Sequence, residues 1–198
     1  MKAKKGYHHG ALRQAILDKA FSALETDGLE ALSLRGLAAS AGVSKTAPYR
    51  HFADKRELLM VLAAEGFGGL ADLLESALAA GAREPPDGVT GGIRVLCRTY
   101  LQFARSRPAL YKLMFSRLGF SLHSEKCRIN SERALSCLVS AVRDAQARGW
   151  RADRETQALV FSLWAEVHGW AELLIEDLVP ENMDKEPAAV ERAIEAIL

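Results

Sequence analysis

The sequence contains few cysteines and lacks the common motifs of metal binding and catalysis. Its three cysteines, Cys97, Cys127 and Cys137, have neither CxxC nor CxxH spacing. Cys127 and Cys137 would lie nearly three turns apart on a shared helix, which at ~1.5 Å rise per residue is too far for a disulfide. We interpret all three as reduced thiols, with redox sensing as the alternative. The HExxH, GxxxxGKS and GxSxG patterns are also absent, so the sequence predicts no metal, no cofactor and no enzyme activity.

Long hydrophobic runs are missing as well. No uninterrupted apolar stretch approaches the ~20 residues of a membrane-spanning helix. Charged residues and histidines interrupt the first twenty positions, where the apolar segment of a signal peptide would lie. The 49% hydrophobic and 26% charged residues are ordinary for a soluble globular protein. We therefore expect a cytoplasmic protein with no membrane partner.

Strand patterns are nearly absent, whereas helical periodicity recurs along the chain. Apolar residues at Leu12, Ile16, Ala20 and Ala23 form one stripe of a helix from about residue 9 to 26. Asp27-Gly28 is expected to end that helix. The fold class is therefore all-α, with about nine helices, the others predicted near 34–41, 45–52, 55–80, 90–106, 108–117, 124–148, 154–178 and 187–198.

Capping residues mark the starts of three of these helices. Ser33 suits the N-cap of the second helix and Ser44 that of the third. Asp54 and Glu57 have the spacing of a capping box for the fourth. Pro48 falls inside the third helix, where it removes a backbone donor, so we expect a tightened turn there.

The second and third helices have the pattern of a DNA-binding helix-turn-helix. Ala38 is small where two helices must cross closely, and Gly42 supplies the positive φ that the turn requires. The third helix is short and polar on one side. The side chains available to a major groove are Lys45, Thr46, Tyr49, Arg50 and His51.

The charge is distributed unevenly, although the net charge is only +1. Residues 1–56 hold ten lysines and arginines against five acidic residues, whereas 57–198 hold sixteen against twenty. A basic head on an acidic body indicates a polyanion partner for the head alone. We predict a DNA-binding domain at 1–56, with a basic arm at 1–7, followed by a second domain at 57–198.

Residues 33–59, SLRGLAASAGVSKTAPYRHFADKRELL, resemble the DNA-binding segment of TetR/AcrR (tetracycline-repressor-like) regulators. The pattern LAxxAGVS followed by YxHFxxKxxLL carries the resemblance, which covers about residues 8–60. It implies a homodimer whose recognition helices enter successive major grooves of a palindromic operator. By position, it assigns phosphate contacts to Tyr49 and Lys55 and places His51 near the backbone. Base reading falls to Lys45, Thr46, Ala47 and Arg50, and Ser33 and Arg35 complete the expected DNA-contacting set.

The C-terminal part resembles one branch of the same family. LVFSLWAEVHGWAELLI, with Trp164, His168 and Gly169, is similar to the WHG-type C-terminal domain, as is FARSRPALYKLMF. The resemblance implies a helical-bundle domain that binds a small effector and dimerises through its last two long helices. Aromatic residues and methionine favour an adaptable apolar cavity. The expected effector-binding residues are Leu96, Cys97, Tyr100, Phe103, Met114, Phe115, Trp164 and His168.

Each of these residues also has a plain structural interpretation. A histidine beside a tryptophan on an apolar helix is commonly a satisfied core or interface residue, and an aromatic stripe is commonly core. For the dimer interface, the candidates form a four-helix seam. They are Leu159, Leu163, Gly169, Trp170, Leu174, Val190, Ile194 and Ile197.

The fourth helix contains glycines that admit two explanations. Each costs roughly 0.8–1 kcal/mol relative to alanine in a helix interior. Gly66 and Gly69 either let the helix bend when effector binds, or allow a neighbouring helix to pack closely.

The function predicted from the sequence is a dimeric transcriptional repressor, released from a palindromic DNA operator by a small, apolar or aromatic effector. The alternatives are a small helical enzyme, a thiol-based redox sensor, or an activator that uses the same DNA-binding head.

Overall fold

A computed structural model describes residues 9–81, 88–116, 124–179, 194–196 and 198. Within these ranges every regular element is a helix, as the sequence predicts. The helices are α1 (His9–Ala31), α2 (Leu34–Ser40), a 3-10 turn (Pro48–Arg50), α3 (Lys55–Gly81), α4 (Gly91–Ser106), α5 (Pro108–Phe115), α6 (Glu125–Ala147) and α7 (Thr156–Ile175). Residues 194–196 are also helical, but most of the helix predicted at 187–198 lies outside the described residues.

Local signals in the sequence predict the first two helices well. Gly28 interrupts α1 with φ of 80° and ψ of 173°, which confirms the break expected at Asp27-Gly28. The Ser33 hydroxyl accepts a hydrogen bond from the Gly36 N–H at 3.1 Å, which confirms the predicted cap of α2. Gly42 follows α2 with φ of 66°, the left-handed conformation that glycine adopts without steric cost.

The third helix differs from the α-helix predicted over 45–52. The segment closes through a 3-10 pattern, in which the Ala47 N–H donates to the Ser44 carbonyl at 2.9 Å and the Arg50 N–H to the Ala47 carbonyl at 3.2 Å. Pro48 has no N–H to donate to the Ser44 carbonyl, whereas Ala47 before it keeps α geometry, with φ of −60° and ψ of −42°. The expected tightened turn is confirmed, but the cap is wrong: the Ser44 hydroxyl lies 3.3 Å from the hydroxyl of Thr46.

Helix α3 starts with a variant of the predicted capping box, in which the returning bond comes from the N–H of Ala53 instead of that of Asp54. The Glu57 N–H donates to Asp54 Oδ1 at 2.8 Å, and the Glu57 carboxylate accepts from the N–H of Ala53. Phe52 and Leu58 are both buried at this start. In the second half of the chain, α7 is capped by Glu155, whose carboxylate accepts from the Ala158 N–H at 3.1 Å.

The chain forms two compact units. Among the described residues, the first unit holds 9–66, 109–116 and 124–127, and the second holds 67–81, 88–108, 128–179, 194–196 and 198. The two units are defined by how compactly the chain packs, so they do not test the boundary between the DNA-binding domain and the second domain. That boundary, expected at residue 56, stays a prediction.

Each unit has its own apolar core. In the first unit, the core is built around Ile16, Leu37, Phe52, Leu62 and Tyr111, all of which are buried. In the second unit, α4 packs against α7. There, the guanidinium of Arg133 on α6 bridges Asp72 and Glu75 of α3, with Nη2 at 2.7 Å from an oxygen of each carboxylate.

The glycines of α3 differ in what surrounds them. A Cβ atom at Gly66 would lie 2.7 Å from Met114 Sδ and 3.1 Å from Leu110 Cδ1, whereas one at Gly69 would meet no atom of the described residues within 4 Å. Helix α3 continues through both positions. The close approach of α5 therefore supports the packing explanation at Gly66 and gives Gly69 no such role.

We expect Gly66→Ala and Gly69→Ala to change stability in different directions. Both gain about 1 kcal/mol of helix propensity, but Gly66→Ala also overpacks a buried contact, at a cost of about 1–3 kcal/mol. The free energy of unfolding, measured by urea titration, should therefore be about 1–3 kcal/mol lower for Gly66→Ala than for Gly69→Ala. Equal stability of the two variants would contradict close packing at Gly66.

Candidate nucleic-acid interface

The segment after α2 presents polar side chains to solvent on a rigid support. Lys45, Thr46, Tyr49 and Arg50 are all exposed, and Tyr49 keeps 47% of its surface accessible. On the other side of the segment, Pro48 is buried. The 3-10 turn therefore separates an apolar inner side from a polar outer side, which we call the recognition surface (Lys45, Thr46, Tyr49 and Arg50).

Helix α2 packs against the 3-10 turn that carries part of the recognition surface. Ala38 is fully buried, and its carbonyl accepts from the Val43 N–H at 3.0 Å. The turn and α2 are in contact, and α2 in turn contacts α1. This is the helix-turn-helix arrangement that the sequence predicts, with a short 3-10 element in the second position.

The remaining predicted DNA-contacting residues flank this surface. Ser33 and Arg35 are exposed at the start of α2, although the Ser33 hydroxyl is engaged as its cap. Ala47 and His51 are half-buried, and the His51 ring lies edge-on to Phe52 with centroids 6.5 Å apart. Ala47 and His51 therefore offer less accessible surface than the residues beside them.

Three cations of this region have no neutralising partner among the residues that the structure describes. In the part of the chain that the structure describes, Arg35, Lys45 and Arg50 form no ion pair. A cation that already forms an ion pair would have to lose its partner before it could bind another anion, whereas these three would not. Their charges are available to phosphate groups.

Lys55 has an internal role that sequence reasoning missed. Its Nζ donates to the Leu29 carbonyl at 2.8 Å and lies 3.3 Å from the Glu30 carbonyl. These carbonyls follow the break at Gly28, where helical partners are missing. The Lys55 ammonium therefore links the end of α1 to the start of α3. The phosphate contact expected for Lys55 stays a prediction.

We expect Lys55→Ala to lower the stability of the chain. Hydrogen bonds to a charged donor contribute about 1.5–3 kcal/mol, and partial exposure reduces this to about 1–2 kcal/mol. Lys19→Ala is the matched control, because Lys19 is an exposed lysine on α1. If urea titration finds Lys55→Ala as stable as Lys19→Ala, the contact to Leu29 contributes nothing.

Arg13 is a further cation beside the site that the sequence analysis did not assign. Its guanidinium carbon lies 5.5 Å from the centroid of the Phe52 ring, within the range of a cation–π interaction. The contact joins the first turns of α1 to the residue that follows the recognition surface. No short-range signal identifies it, because Arg13 and Phe52 are far apart in sequence.

The predicted effector-binding residues fall in both compact units. Leu96, Cys97, Tyr100 and Phe103 are buried on α4, while Trp164 and His168 lie on α7. The packing of α4 on α7 brings the Tyr100 hydroxyl to 3.1 Å from His168 Nδ1. The rings of Trp164 and His168 lie 6.4 Å apart, edge to face. Met114 and Phe115 belong to the first unit.

Burial shifts the pKa values of two side chains in this region, Cys97 and His168. It raises the pKa of the Cys97 thiol to about 12, with a smaller contribution from the charge of Glu166. Burial also lowers the pKa of His168, against the opposing charge of Glu172. Both groups are therefore neutral at physiological pH. A neutral His168 bonded to Tyr100 agrees with a satisfied histidine between two helices.

An open groove of about 590 Å³ lies elsewhere in the second unit. Its walls come from α3 and α6, and none of the predicted effector-binding residues lines it. The lining residues are Glu75, Leu78, Ile129, Glu132, Arg133, Ser136, Cys137 and Ser140.

The predicted dimer residues are divided by burial. Leu159, Leu163 and Ile194 are buried within the chain, so they contribute little to its free surface. Gly169, Trp170 and Leu174 are half-buried, and Val190 and Ile197 lie outside the described residues. Sequence analysis missed Phe161, Leu173 and Leu178, which are 68%, 41% and 64% exposed. Periodicity marks both sides of an apolar helix and does not say which side faces the chain's own core.

Helix α7 has much more apolar surface than the chain itself buries. Thr156–Ile175 is long and apolar enough to cross a membrane by length and composition alone, yet only 28% of its apolar window is buried within the chain. The core helices of soluble proteins pass the same test. An apolar helix with its outer side uncovered indicates an association surface.

Comparison with protein families places both halves of the chain. Residues 16–70 match the family model described as bacterial regulatory proteins, tetR family. Residues 93–197 match the tetracyclin repressor-like C-terminal domain. The first match covers the recognition surface and its supporting helices, and the second covers α4 to α7.

Individual relatives agree with these matches. An uncharacterised HTH-type transcriptional regulator of Haemophilus influenzae is 32% identical over 103 residues, which span 52% of this chain and 48% of that protein. A Rhodococcus sp. RHA1 protein of unknown function superposes with a TM-score of 0.78 at 30% identity, covering 98% of this chain and 94% of its own. The fatty acid degradation regulator FadR of Bacillus halodurans shares the fold, with a TM-score of 0.71 at 17% identity over 99% and 97% of the two chains.

Proposed function

Because the chain belongs to the TetR family of bacterial transcriptional regulators, we propose that it is a dimeric repressor of transcription in the cytoplasm. It binds a palindromic operator through two copies of the recognition surface. A small apolar or aromatic effector releases it. The proposal depends most on the exposed cations Lys45 and Arg50 beside Tyr49, which have no ion-pair partner in the described part of the chain and stand on a helix-turn-helix.

The roles within the recognition surface follow from chemistry. The Arg50 guanidinium can donate two parallel hydrogen bonds to a guanine edge, and Lys45 and Thr46 can reach neighbouring bases. The phenol of Tyr49 suits a phosphate oxygen and sets the register on the duplex. Ser33 and Arg35, at the start of α2, lie where a helix crosses the backbone in this kind of docking.

Selection from a random pool of duplex DNA tests the proposed activity, because the pool contains candidate operators of every sequence. Purified protein should enrich a palindrome whose half-sites are centred about one helical turn (~34 Å) apart, or a multiple of it. Binding to the enriched duplex should weaken steeply with salt, because cation–phosphate contacts release counterions. If no sequence is enriched from the pool even in dilute salt, the proposed DNA binding is wrong.

The dimer is proposed from the uncovered apolar side of α7. Phe161 and Leu173 are exposed there, while Leu159 and Leu163 face the interior. Pairing α7 with its symmetry mate would bury these side chains against a second copy. We therefore propose that the seam is centred on Phe161 instead of the buried leucines, with Gly169 and Leu173 on the neighbouring part of the same side. Trp170 and Leu174 lie about 140–180° around the helix from Phe161.

The effector site is proposed on the α4 and α7 side of the second unit. The expected lining there is apolar and aromatic, with Tyr100 and His168 as the polar pair. Such a lining favours a ligand that is mostly apolar and carries few hydrogen-bonding groups.

A thiol-based redox sensor is the weaker alternative. Desolvation raises the pKa of Cys97, Cys127 and Cys137 alike. Because the thiolate is the reactive form, thiols with raised pKa values react slowly with oxidants. Whether the protein represses or activates is decided by transcription from the enriched site with and without it.

A further inference from the structure

A carboxylate on α1 caps the beginning of α5, far away in sequence. Glu25 Oε1 accepts from the Leu110 N–H at 2.9 Å, and Oε2 accepts from the Ala109 N–H at 3.1 Å. The first N–H groups of a helix have no partner within it, and the positive end of the helix dipole favours an anion there. Glu25 therefore does for α5 what a capping residue next to the helix would otherwise do.

The same turn of α5 is fixed to α3. Leu110, whose N–H binds Glu25, also has its Cδ1 atom 3.1 Å from the position of a Cβ at Gly66, with Met114 one turn further at 2.7 Å. Leu110 and Met114 are both buried. Because Leu110 and Met114 approach Gly66 of α3 this closely, a shift of α5 along α3 would have to move both side chains.

Helix α1 connects this joint to the recognition surface. It is held to the start of α3 by the Lys55 ammonium, and it contacts α2, which contacts the 3-10 turn. All these contacts lie within the first compact unit. These contacts connect α5, through Glu25 and the rest of α1, to the residues proposed to bind DNA.

We propose that Glu25 is a positioning residue that couples the first turn of α5 to the DNA-binding head. When DNA holds the head, α1 moves less, the carboxylate stays on its two amides, and α5 opens less often. By thermodynamic reciprocity, a ligand that displaces α5 weakens DNA binding through the same side chain. This inference rests on the proposed function.

Amide hydrogen exchange tests the coupling with the full chain and the DNA duplex enriched by selection. In the free protein, Glu25→Ala should speed exchange at Ala109 and Leu110 by about five- to tenfold, the effect of losing a helix cap. Saturating duplex should slow these two amides by roughly threefold or more in the unmodified protein. The same duplex should leave them unchanged in Glu25→Ala.

Two further variants separate the cap from charge and folding. Asp18→Ala removes the same charge from an exposed position on α1, and it should keep the DNA-dependent slowing at Ala109 and Leu110. Glu25→Gln retains one acceptor oxygen and should give an intermediate response.

The result that overturns the proposal is equal slowing by duplex in the unmodified protein and in Glu25→Ala. Slowing that is absent even in the unmodified protein, at saturation, overturns it as well. Failure of the protein to bind any duplex is a separate result, which removes the proposed function itself.

Discussion

Replacement of Phe161 by lysine should convert the proposed dimer into monomers at micromolar concentration. Phe161 is the most exposed large apolar side chain on α7, at 68%. Aromatic residues at the centre of an interface contribute about 2–4 kcal/mol, which corresponds to a rise on the order of 30- to 1,000-fold in the dimer dissociation constant. A lysine also brings an unpaired charge into each half of a symmetric seam, so the effect should fall at the upper end. Sedimentation velocity across a dilution series measures it.

Ser22→Lys is the matched control for this experiment. Ser22 is exposed on α1, outside the apolar side of α7. The substitution adds the same charge and should leave the dimer intact. A Phe161→Lys variant that sediments as a dimer would place the association surface elsewhere on the chain.

Arg50→Ala should remove most of the sequence preference for the enriched duplex. Loss of a bidentate contact to a base costs about 1–3 kcal/mol, or about 5- to 150-fold in affinity. Binding to a scrambled duplex should weaken far less, because there the arginine supplies only charge. Fluorescence anisotropy with both duplexes, at one salt concentration, gives the ratio directly.

The control removes the same charge from the body of the protein. Arg143 is exposed on α6, and Arg143→Ala should change neither affinity by more than about twofold. Equal losses on the enriched and the scrambled duplex in Arg50→Ala would assign Arg50 to the phosphate backbone instead of a base.

The sequence predicts those parts of the fold that neighbouring residues determine. Helix ends at Gly28 and caps at Ser33 and Asp54 follow from hydrogen bonds within three or four positions. The same locality makes the helix-turn-helix recognisable from its motif. Pro48 correctly predicts a tightened turn, but a short 3-10 element and a full α-helix share the same polar pattern.

Contacts between distant residues are what the sequence does not predict. Lys55 has the position of a phosphate ligand in the motif, and only the fold brings its ammonium to the Leu29 carbonyl. Likewise, nothing near Glu25 indicates that it caps a helix more than eighty residues away. On α7, periodicity identifies an apolar helix, but only the packing of the fold shows that Leu163 faces inward and Phe161 outward.

The most direct test of the account is the chemical modification of lysines with and without the enriched duplex. Lys45 and Lys126 are both exposed, but only Lys45 belongs to the recognition surface. The account predicts that saturating duplex slows acetylation of Lys45 by about tenfold or more and leaves Lys126 unchanged. Acetylation of Lys45 at the same rate with and without bound duplex would contradict the claim that this surface lies against DNA.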